Sequence, residues 1–358
     1  MLSNLIQSMR RKPGPADLAR RFAAAREAFN QDDLDYAQAE FTALTLSDSG
    51  NPEVWLYAGM CAYKLGNAPL ALQRVQRARE LDPRQHEFMF QEAIIQSTMG
   101  ALDQTRALCI QALKIEPRMS AAYLLWSMVD LPGDDYLVFL ARLHQHLKPR
   151  TYLEIGVFQG KSLRMAGAAT RAIGVDPEPK ISEPLPSNAR VFELTSDEFF
   201  ARHDVVRDEF GGDPVELAFI DGMHLFEYAL RDFINIERCA SPNGAVLIHD
   251  CYPLDRASAE RERHAQFWSG DIWRMILVLK KYRPDLRVCT LALAPTGLGL
   301  VRRLDPHSTV LADRYDAIVA EFKALDYAVL EQDKPGMLGL FPNNWDHMIG
   351  LFENREVT

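Results

Sequence analysis

The stretch from Thr151 to Pro177 constrains the fold more than any other part of the sequence. A short apolar run ends in the pattern Glu154-x-Gly156-x-x-x-Gly160, a segment of helical character follows, and a second apolar run closes on Asp176. This order predicts a strand, a glycine turn, a helix, a strand and an acid, which together form one βαβ unit. Glycines let the backbone turn sharply and lie close to a ligand, and an acid about twenty residues later is placed to bind ribose hydroxyls. The stretch therefore indicates a nucleotide-like ligand.

Three loop patterns bind such ligands, and the residues separate them. A Walker loop needs four residues between its first glycine and the Gly-Lys-Ser, so the three between Gly156 and Gly160 make Gly160-Lys161-Ser162 a poor match. A dinucleotide fingerprint needs a middle glycine where Phe158 stands. The remaining pattern resembles the first two motifs of class I S-adenosylmethionine-dependent methyltransferases. An ordinary βαβ unit with a glycine turn and no ligand is the alternative.

Two later apolar runs deliver polar groups at their carboxyl ends. The run VELAFI leads into Asp221 and His224, and the run AVLI leads into His249-Asp250. Open α/β sheets bind ligands at the carboxyl ends of their strands. We therefore expect these four side chains at one edge of the sheet.

These motifs, with a Pro-Asn-Gly turn between them, resemble a branch of class I methyltransferases that includes sugar and small-molecule O-methyltransferases and, more distantly, catechol-type enzymes. The resemblance implies an α/β fold with a Rossmann-like seven-stranded methyltransferase sheet, bound S-adenosyl-L-methionine, and a small-molecule or sugar acceptor. In the resembled family, a polar or acidic residue at the position of Asp197 often contacts the adenine amino group. A role for Asp197 in capping a helix explains this residue equally well. The cofactor-binding residues implied at matching positions are Glu154, Gly156, Gly160, Ser162, Asp176, Asp197 and Asp221.

The same resemblance implies catalytic and metal-binding roles. In metal-using relatives, acids after the fourth and fifth strands hold a divalent ion, and a histidine three residues after the first acid takes the proton of the acceptor. Asp221, His224 and Asp250 match these positions, which makes His224 and Asp221 the expected catalytic residues. His249 stands where those relatives have an acid, and imidazole is a poorer ligand for Mg²⁺ than carboxylate. A metal set of Asp221, His249 and Asp250 holding Mg²⁺, Mn²⁺ or a softer ion, a site without metal, and purely structural histidines are left open.

The first third of the sequence repeats itself with a period of 34 residues, from about residue 18 to residue 117. Gly59 aligns with Ala93, and Pro83 aligns with Pro117. This spacing resembles the tetratricopeptide repeat, in which small residues lie where two helices cross and a proline follows the second helix. The resemblance implies an all-α helical-repeat domain that binds a protein partner or associates with itself, although the repeats could merely pack on the second domain. Arg21, where a bulky aromatic is common, marks the first repeat as an atypical cap.

The rest of the second half predicts further elements. Tyr136–Leu147 predicts a helix that leads into the glycine-turn strand, and the four prolines between residues 177 and 188 predict a loop. The segment 251–269 is predicted to be a loop over the ligand-binding cleft at the edge of the sheet. Its arginines could hold an anionic substrate, but interleaved glutamates favour a solvated charged loop. One helix is expected over residues 309–325, after two strands over residues 286–293 and 297–301.

Composition and charge exclude several classes of protein. The formal charge of −9 argues against nucleic-acid binding. Five cysteines without a CxxC pair indicate reduced core residues. No run approaches eighteen apolar residues, so no membrane span is expected. The N-terminal sequence MLSNLIQSMRRKPGP does not have the order of a secretory signal, which makes a cytoplasmic location the expectation.

A length of 358 residues favours two domains. We place a tetratricopeptide-repeat domain at residues 1–131 and a class I methyltransferase domain at residues 132–358. The favoured hypothesis is O-methylation of a small molecule or sugar with His224 as general base. The alternatives are a repeat-based scaffold with a non-catalytic methyltransferase-like domain, and a protein methyltransferase whose acceptor is recruited through the repeats.

Overall fold

The computed structural model describes residues 13–352, which divide into two compact units between Val129 and Asp130. The sequence placed the domain boundary two residues later. Most of the N-terminal sequence MLSNLIQSMRRKPGP, which does not have the order of a secretory signal, lies outside the described residues. Within residues 13–352, no helix is both long and apolar enough to cross a membrane.

The first unit, here called the repeat unit, consists of helices arranged in antiparallel pairs. Their starts show the period directly, because the second helices of successive pairs begin at residues 34, 68 and 102, and the helices that follow them begin at residues 52, 86 and 120, so each series advances by 34. The helix before the first of these begins at residue 15, off the period, in keeping with an atypical first repeat. The helices are α1 Pro15–Asn30, α2 Leu34–Ser47, α3 Pro52–Lys64, α4 Ala68–Leu81, α5 His86–Thr98, α6 Leu102–Ile115 and α7 Ser120–Asp130.

Small residues set the distance between paired helices in the repeat unit. A Cβ at Gly59 would lie 2.6 Å from Val75 Cγ2 and 3.1 Å from the Ala71 carbonyl oxygen, so only glycine allows α3 and α4 to pack this closely. Asparagine side chains cap both helices, with Asn51 accepting from Glu53 N at 3.1 Å and Asn67 from Leu70 N at 3.2 Å. The predicted helical-repeat fold is confirmed.

The second unit, here called the sheet unit, is built on one eight-stranded sheet. The strand order is β3-β2-β1-β4-β5-β7-β6-β8, with β7 antiparallel to both neighbours and the other neighbours parallel. The chain order reverses between β1 and β4, which is the switch point where open sheets of this kind bind ligands. The strands are β1 Thr151–Ile155, β2 Arg171–Val175, β3 Ala189–Phe192, β4 Val215–Ile220, β5 Ala240–Ile248, β6 Arg287–Leu291, β7 Leu298–Arg302 and β8 Leu340–Phe341.

Helices cover both faces of the sheet, and a separate apolar cluster fills the space on each side. Phe139 and Met348 pack in one cluster, and Phe233 and Trp273 in the other. All five residues of β1 are buried, as expected for a central parallel strand. The helices are α8 Tyr136–Leu147, α9 Ser196–Phe200, α10 Val205–Glu209, α11 Phe226–Cys239, α12 Trp273–Tyr282, α13 Val310–Asp313, α14 Tyr315–Lys323, α15 Ala328–Gln332, α16 Lys334–Leu338 and α17 Trp345–Phe352.

The Rossmann-like sheet after a helical-repeat domain is confirmed, but several details differ. The sheet has an eighth strand, which sequence could not reveal because it has only two residues. The helix expected after the glycine turn is a single 3₁₀ turn, Leu163–Met165, and Gly167 follows closely, a residue that disfavours continued helix. The single helix expected over residues 309–325 is interrupted at Arg314 and forms the two helices α13 and α14. The next residue, Tyr315, donates its hydroxyl hydrogen to the Glu227 carbonyl oxygen at 2.9 Å.

Strand β5 begins five residues earlier than the sequence indicated. The Pro-Asn-Gly segment predicted as a turn lies within it, and its register against β4 shifts between Val215 and Leu217. A Cβ at Gly244 would lie 3.0 Å from the Glu216 carbonyl oxygen, so this glycine lets the irregular backbone press against β4.

Candidate functional site

The glycine turn, Gly156–Gly160, lies beside the loop that follows β4. Gly156 has φ +88°, and a Cβ there would lie 2.0 Å from the Asp221 carbonyl oxygen. Gly160 has φ +73°, and its Cβ position lies 3.0 Å from Leu185 and 3.1 Å from Ile181. The proline-rich loop 177–188 therefore covers the end of the turn. Both glycines are required by backbone conformation and by close approach.

Glu154 and Ser162 hold the base of the glycine turn. The Glu154 side chain is completely buried and accepts hydrogen bonds from Tyr152 Oη at 2.6 Å and Ser162 Oγ at 2.8 Å. Burial raises the pKa of Glu154 to about 8, although the hydrogen bonds from Tyr152 and Ser162 oppose the shift. Glu154 and Ser162 contact each other, Tyr152 and the backbone of Leu163. Their cofactor-binding role stays a prediction.

Asp176 lies at the end of β2 and fastens the glycine turn. Its Oδ2 accepts the backbone N–H groups of Val157 at 2.9 Å and Phe158 at 2.8 Å, and its Oδ1 accepts Glu178 N at 2.8 Å. Each carboxylate oxygen can accept two hydrogen bonds, so Oδ1 keeps capacity for one more donor. The placement is compatible with the predicted contact to ribose.

Asp197 makes a different contact from the one its motif implied. Thr195 caps α9 in a capping box with Glu198, and Asp197 forms a bidentate pair with Arg231, at 3.0 Å to Nε and 2.6 Å to Nη2. Arg231 lies on α11, so this pair links α9 to α11. Its contact with a cofactor stays a prediction.

The polar residues after β4 and β5 come together, as their strand positions predicted. His224 Nδ1 lies 3.0 Å from Asp250 Oδ2, and His224 Nε2 lies 3.9 Å from Asp221 Oδ1. His249 Nδ1 lies 3.2 Å from both Asp221 Oδ1 and Asp250 Oδ2. Two histidines and two carboxylates thus form one cluster at the carboxyl ends of β4 and β5, next to the switch point of the sheet.

The two ring nitrogens of His224 have different neighbours. Nδ1 lies 3.1 Å from the carbonyl oxygen of Trp268, and the imidazole stacks on the Trp268 indole with centroids 4.9 Å apart and planes 5° apart. A carbonyl oxygen only accepts hydrogen bonds, so Nδ1 carries the proton in the neutral ring. Nε2 is therefore left with a lone pair.

Asp250 is buried, has φ +63°, and accepts a hydrogen bond from Thr296 Oγ1 at 2.6 Å. Burial alone would raise the pKa of Asp250, but His249, His224 and the Thr296 hydroxyl together hold it below its usual value. Asp250 is thus a fixed negative charge beside His224 Nδ1.

His249 is buried with its ring 4.2 Å from that of Tyr136. Burial would lower the pKa of His249, but the charges of Asp250 and Asp221 outweigh it and raise this pKa well above its ordinary value. Both 3.2 Å contacts join the imidazole to a carboxylate, and the attraction between charges is their main component. His249 therefore sits as a cation between the two carboxylates.

A divalent ion would find three potential ligands in this cluster. Asp221, His224 and Asp250 each offer an atom, and these atoms lie within 4.8 Å of one another. Two carboxylates and one imidazole suit Mn²⁺ or Fe²⁺ and, less well, Mg²⁺. This set contains His224 where the sequence suggested His249, whose role as a ligand stays a prediction.

The arginines of the segment 251–269 bind protein groups. Arg261 pairs with Glu227 at 2.5 Å and with the buried Asp271, and Arg256 pairs with Asp326 at 2.9 Å. These contacts favour a structural role over binding of an anionic substrate. The sequence did not reveal Trp268 and Thr296 as site residues, because they follow no recognisable motif and reach the cluster only through folding.

A family model described as a methyltransferase domain matches residues 153–251. This match lies in the C-terminal region of the chain. The matched residues begin in β1 and end just after Asp250, so they include the glycine turn and the histidine and aspartate cluster.

The repeat unit is similar to several solved helical-repeat structures. The Yersinia enterocolitica secretion chaperone SycD is 17% identical with a TM-score of 0.32, covering 33% of this chain and 95% of that one. PcrH from Pseudomonas aeruginosa is 24% identical with a TM-score of 0.30, covering 33% and 90%. MamA is 15% identical with a TM-score of 0.31, covering 32% and 67%. A comparison with curated protein sequences found no match.

Proposed function

We propose that this protein is an S-adenosylmethionine-dependent methyltransferase that methylates a hydroxyl oxygen of a small molecule or sugar, with His224 as general base. The observation that carries the proposal is the pairing of His224 Nδ1 with Asp250 at the carboxyl ends of β4 and β5, next to the switch point of the sheet. Nε2 is then the basic nitrogen, and Asp250 stabilises the imidazolium that forms when Nε2 takes a proton.

The residues around the glycine turn fit a nucleoside cofactor. Gly156 and Gly160 place no side chain at either end of the turn, and Asp176 Oδ1 keeps acceptor capacity at the carboxyl end of β2. Bound S-adenosyl-L-methionine would supply a methyl group activated by a sulfonium. The cofactor contacts that we propose are made by Glu154, Gly156, Gly160, Ser162, Asp176, Asp197 and Asp221.

The protein's part in the reaction is to orient the acceptor and to move one proton. With a methyl donor bound at the glycine turn, His224 Nε2 would take the hydroxyl proton of the acceptor as its oxygen receives the methyl group. Asp221 lies 3.9 Å from that nitrogen and is about a quarter exposed, so it can orient the acceptor hydroxyl. S-adenosylhomocysteine and the methyl ether are the products.

Labelled-methyl transfer into small-molecule extracts tests the base. His224→Gln should lower kcat by about 100-fold or more and leave the affinity for S-adenosylhomocysteine within twofold, because the side chain acts on the acceptor. His203→Gln, at a histidine side chain that is 93% exposed, is the matched control and should leave both unchanged. Loss of cofactor affinity together with turnover in His224→Gln would show that His224 is structural.

A divalent ion at Asp221, His224 and Asp250 would lower the pKa of the acceptor hydroxyl. Its requirement is tested by removing metal with a chelator and adding back Mg²⁺ or Mn²⁺. Turnover that survives chelation supports His224 as base, whereas turnover restored by one ion assigns the cluster to metal binding.

The repeat unit fits the same proposal as a surface for a protein partner or for self-association. Its stack of paired helices is the arrangement that repeat proteins use for this purpose. Deleting residues 1–129 should leave S-adenosylhomocysteine affinity unchanged if the repeats serve only recruitment. Loss of transfer to small molecules in that truncation would assign the repeats a part in acceptor binding.

A further inference from the structure

The segment 255–271, between β5 and α12, contacts the loop that carries His224. Trp268 provides two contacts of different kinds, since its indole stacks on the imidazole and its carbonyl oxygen lies 3.1 Å from His224 Nδ1. The stacking fixes the plane of the imidazole ring, and the carbonyl fixes which edge of the ring faces it, the edge with Nδ1 instead of the flipped edge with Cδ2. A single residue therefore determines the orientation of the ring.

The backbone of the segment is fastened to the same loop. Gly270 has φ +60°, and a Cβ there would lie 1.8 Å from the His224 carbonyl oxygen. The backbones of the two segments are therefore in direct contact. Asp271 N donates to that carbonyl oxygen at 3.2 Å, and Asp271 Oδ1 accepts Phe226 N at 2.8 Å. These contacts hold the start of α11 as well as the backbone of His224.

Buried charges fix the segment in this place. Asp271 has no exposed surface and pairs with Arg261 and with Arg274, the latter at 2.9 Å. Arg261 also pairs with Glu227 on α11, and Trp268 Nε1 donates to the Glu260 carbonyl oxygen at 2.6 Å. The indole is thus held from the protein side and cannot drift from His224 without breaking these bonds.

The neighbouring carboxylates make this fixation necessary. Asp250 lies near Nδ1 and Asp221 lies near Nε2, so either nitrogen could carry the proton if charge alone decided. Only a ring with its proton on Nδ1 leaves Nε2 free to act as a base. The Trp268 carbonyl accepts from Nδ1 and adds no acceptor at Nε2, which favours the productive tautomer.

We propose that Trp268 is a positioning residue that holds His224 with its proton on Nδ1, an inference that rests on the proposed function of His224 as base. Removing the indole takes away the stacking surface and the Nε1 hydrogen bond that holds residue 268, so the ring can turn Nδ1 away from Asp250 and from the carbonyl, and the proton can then lie on either nitrogen. The acceptor then meets a misoriented or protonated nitrogen in a fraction of the molecules. Binding of the cofactor at the glycine turn is not affected.

Two variants of the whole protein test the proposal. Trp268→Ala should lower kcat by about 10- to 100-fold, with the affinity for S-adenosylhomocysteine changed less than twofold, because misorientation of a catalytic group costs rate. Trp268→Phe keeps an aromatic face and should restore most of the rate. Trp345→Phe, at a tryptophan packed against Phe139 in the sheet unit, is the control and should change neither value.

The ¹⁵N shifts of the His224 ring give a readout that does not depend on turnover. They are assigned by comparison with His224→Gln, and should show the Nδ1-protonated tautomer in the wild type and a mixture in Trp268→Ala. A single unchanged tautomer in Trp268→Ala, or a fall in S-adenosylhomocysteine affinity equal to the fall in kcat, would overturn the positioning role. If the wild type binds no S-adenosylhomocysteine, the proposed function fails, and the tautomer experiment still decides whether Trp268 orients His224.

Discussion

The repeat unit and the sheet unit are organised by contacts of different range. In the repeat unit, helices that follow one another pack together, and one period of 34 residues describes the arrangement from α2 to α7. In the sheet unit, β1 pairs with β4 about sixty residues later, and the cluster joins residues 221, 250, 268 and 296. A periodic unit can thus be extended by adding local pairs, whereas a site that combines different chemical groups depends on distant segments meeting.

Glycines with positive φ give the largest expected difference between the units. Gly156→Ala should destabilise the sheet unit by about 4 kcal/mol or more, because its Cβ would lie 2.0 Å from the Asp221 carbonyl oxygen. Gly66→Ala in the repeat unit has a similar φ of +80° but open space around its Cβ, so it should cost about 1 to 2 kcal/mol. Urea unfolding monitored separately for each unit measures both. Equal costs would contradict the close contact between the glycine turn and the Asp221 loop.

Buried ionisable groups give the second difference. In the repeat unit the buried Glu92 is paired with Arg79 at 2.7 Å, whereas in the sheet unit both ring nitrogens of the buried His144 lack a hydrogen-bond partner. Burial lowers the pKa of His144 to about 4, so the unfolded chain takes up a proton that the folded chain does not. Stability should therefore fall as the pH drops from about 6.5 towards 4, by at most about 3 kcal/mol from this residue.

His144→Leu tests this pH dependence. The variant should lose the acid-side fall in stability that His144 causes, while His146→Leu, at an exposed position of the same helix, should keep it. Urea unfolding at several pH values between 4 and 7 measures the slope. An unchanged slope in His144→Leu would mean that His144 accepts its proton without unfolding.

Close helix packing in the repeat unit gives the smallest effect. Gly59→Ala should cost about 1 kcal/mol, because its Cβ would meet Val75 Cγ2 at 2.6 Å and this overpacking exceeds the gain in helix propensity. In a Val75→Ala background the same substitution should become neutral or stabilising. A double-mutant cycle by thermal unfolding measures the coupling, and independent effects would show that Gly59 is not at the helix crossing.

Sequence patterns predicted what depends on local spacing. The helix Tyr136–Leu147 and the strand Val215–Ile220 have the predicted bounds, and the 34-residue period gave the repeat unit. The apolar runs before Asp221 and His249 also placed their polar residues at one edge of the sheet. In each case the signal lies within a few residues of the element that it predicts.

The remaining features depend on contacts that no local pattern encodes. Asp197 is predicted to contact the cofactor, and its observed pairing with Arg231 depends on how α9 meets α11, which no local pattern shows. His249 occupies the place of an acid in its motif, and only the folded cluster shows it between two carboxylates. Trp268 approaches His224 from more than forty residues away, held by buried ion pairs that the sequence shows only as a charged segment.

Titration calorimetry with S-adenosylhomocysteine tests the central claim most directly. The wild type should bind with one site per chain, and Asp176→Ala should weaken binding by about tenfold or more, because Asp176 both fastens the glycine turn and faces the proposed ribose position. Asp208→Ala, at an exposed acid of the same unit, should bind like the wild type. An absence of binding by the folded wild type, or equal affinity in Asp176→Ala, would contradict a cofactor site at the switch point of this sheet.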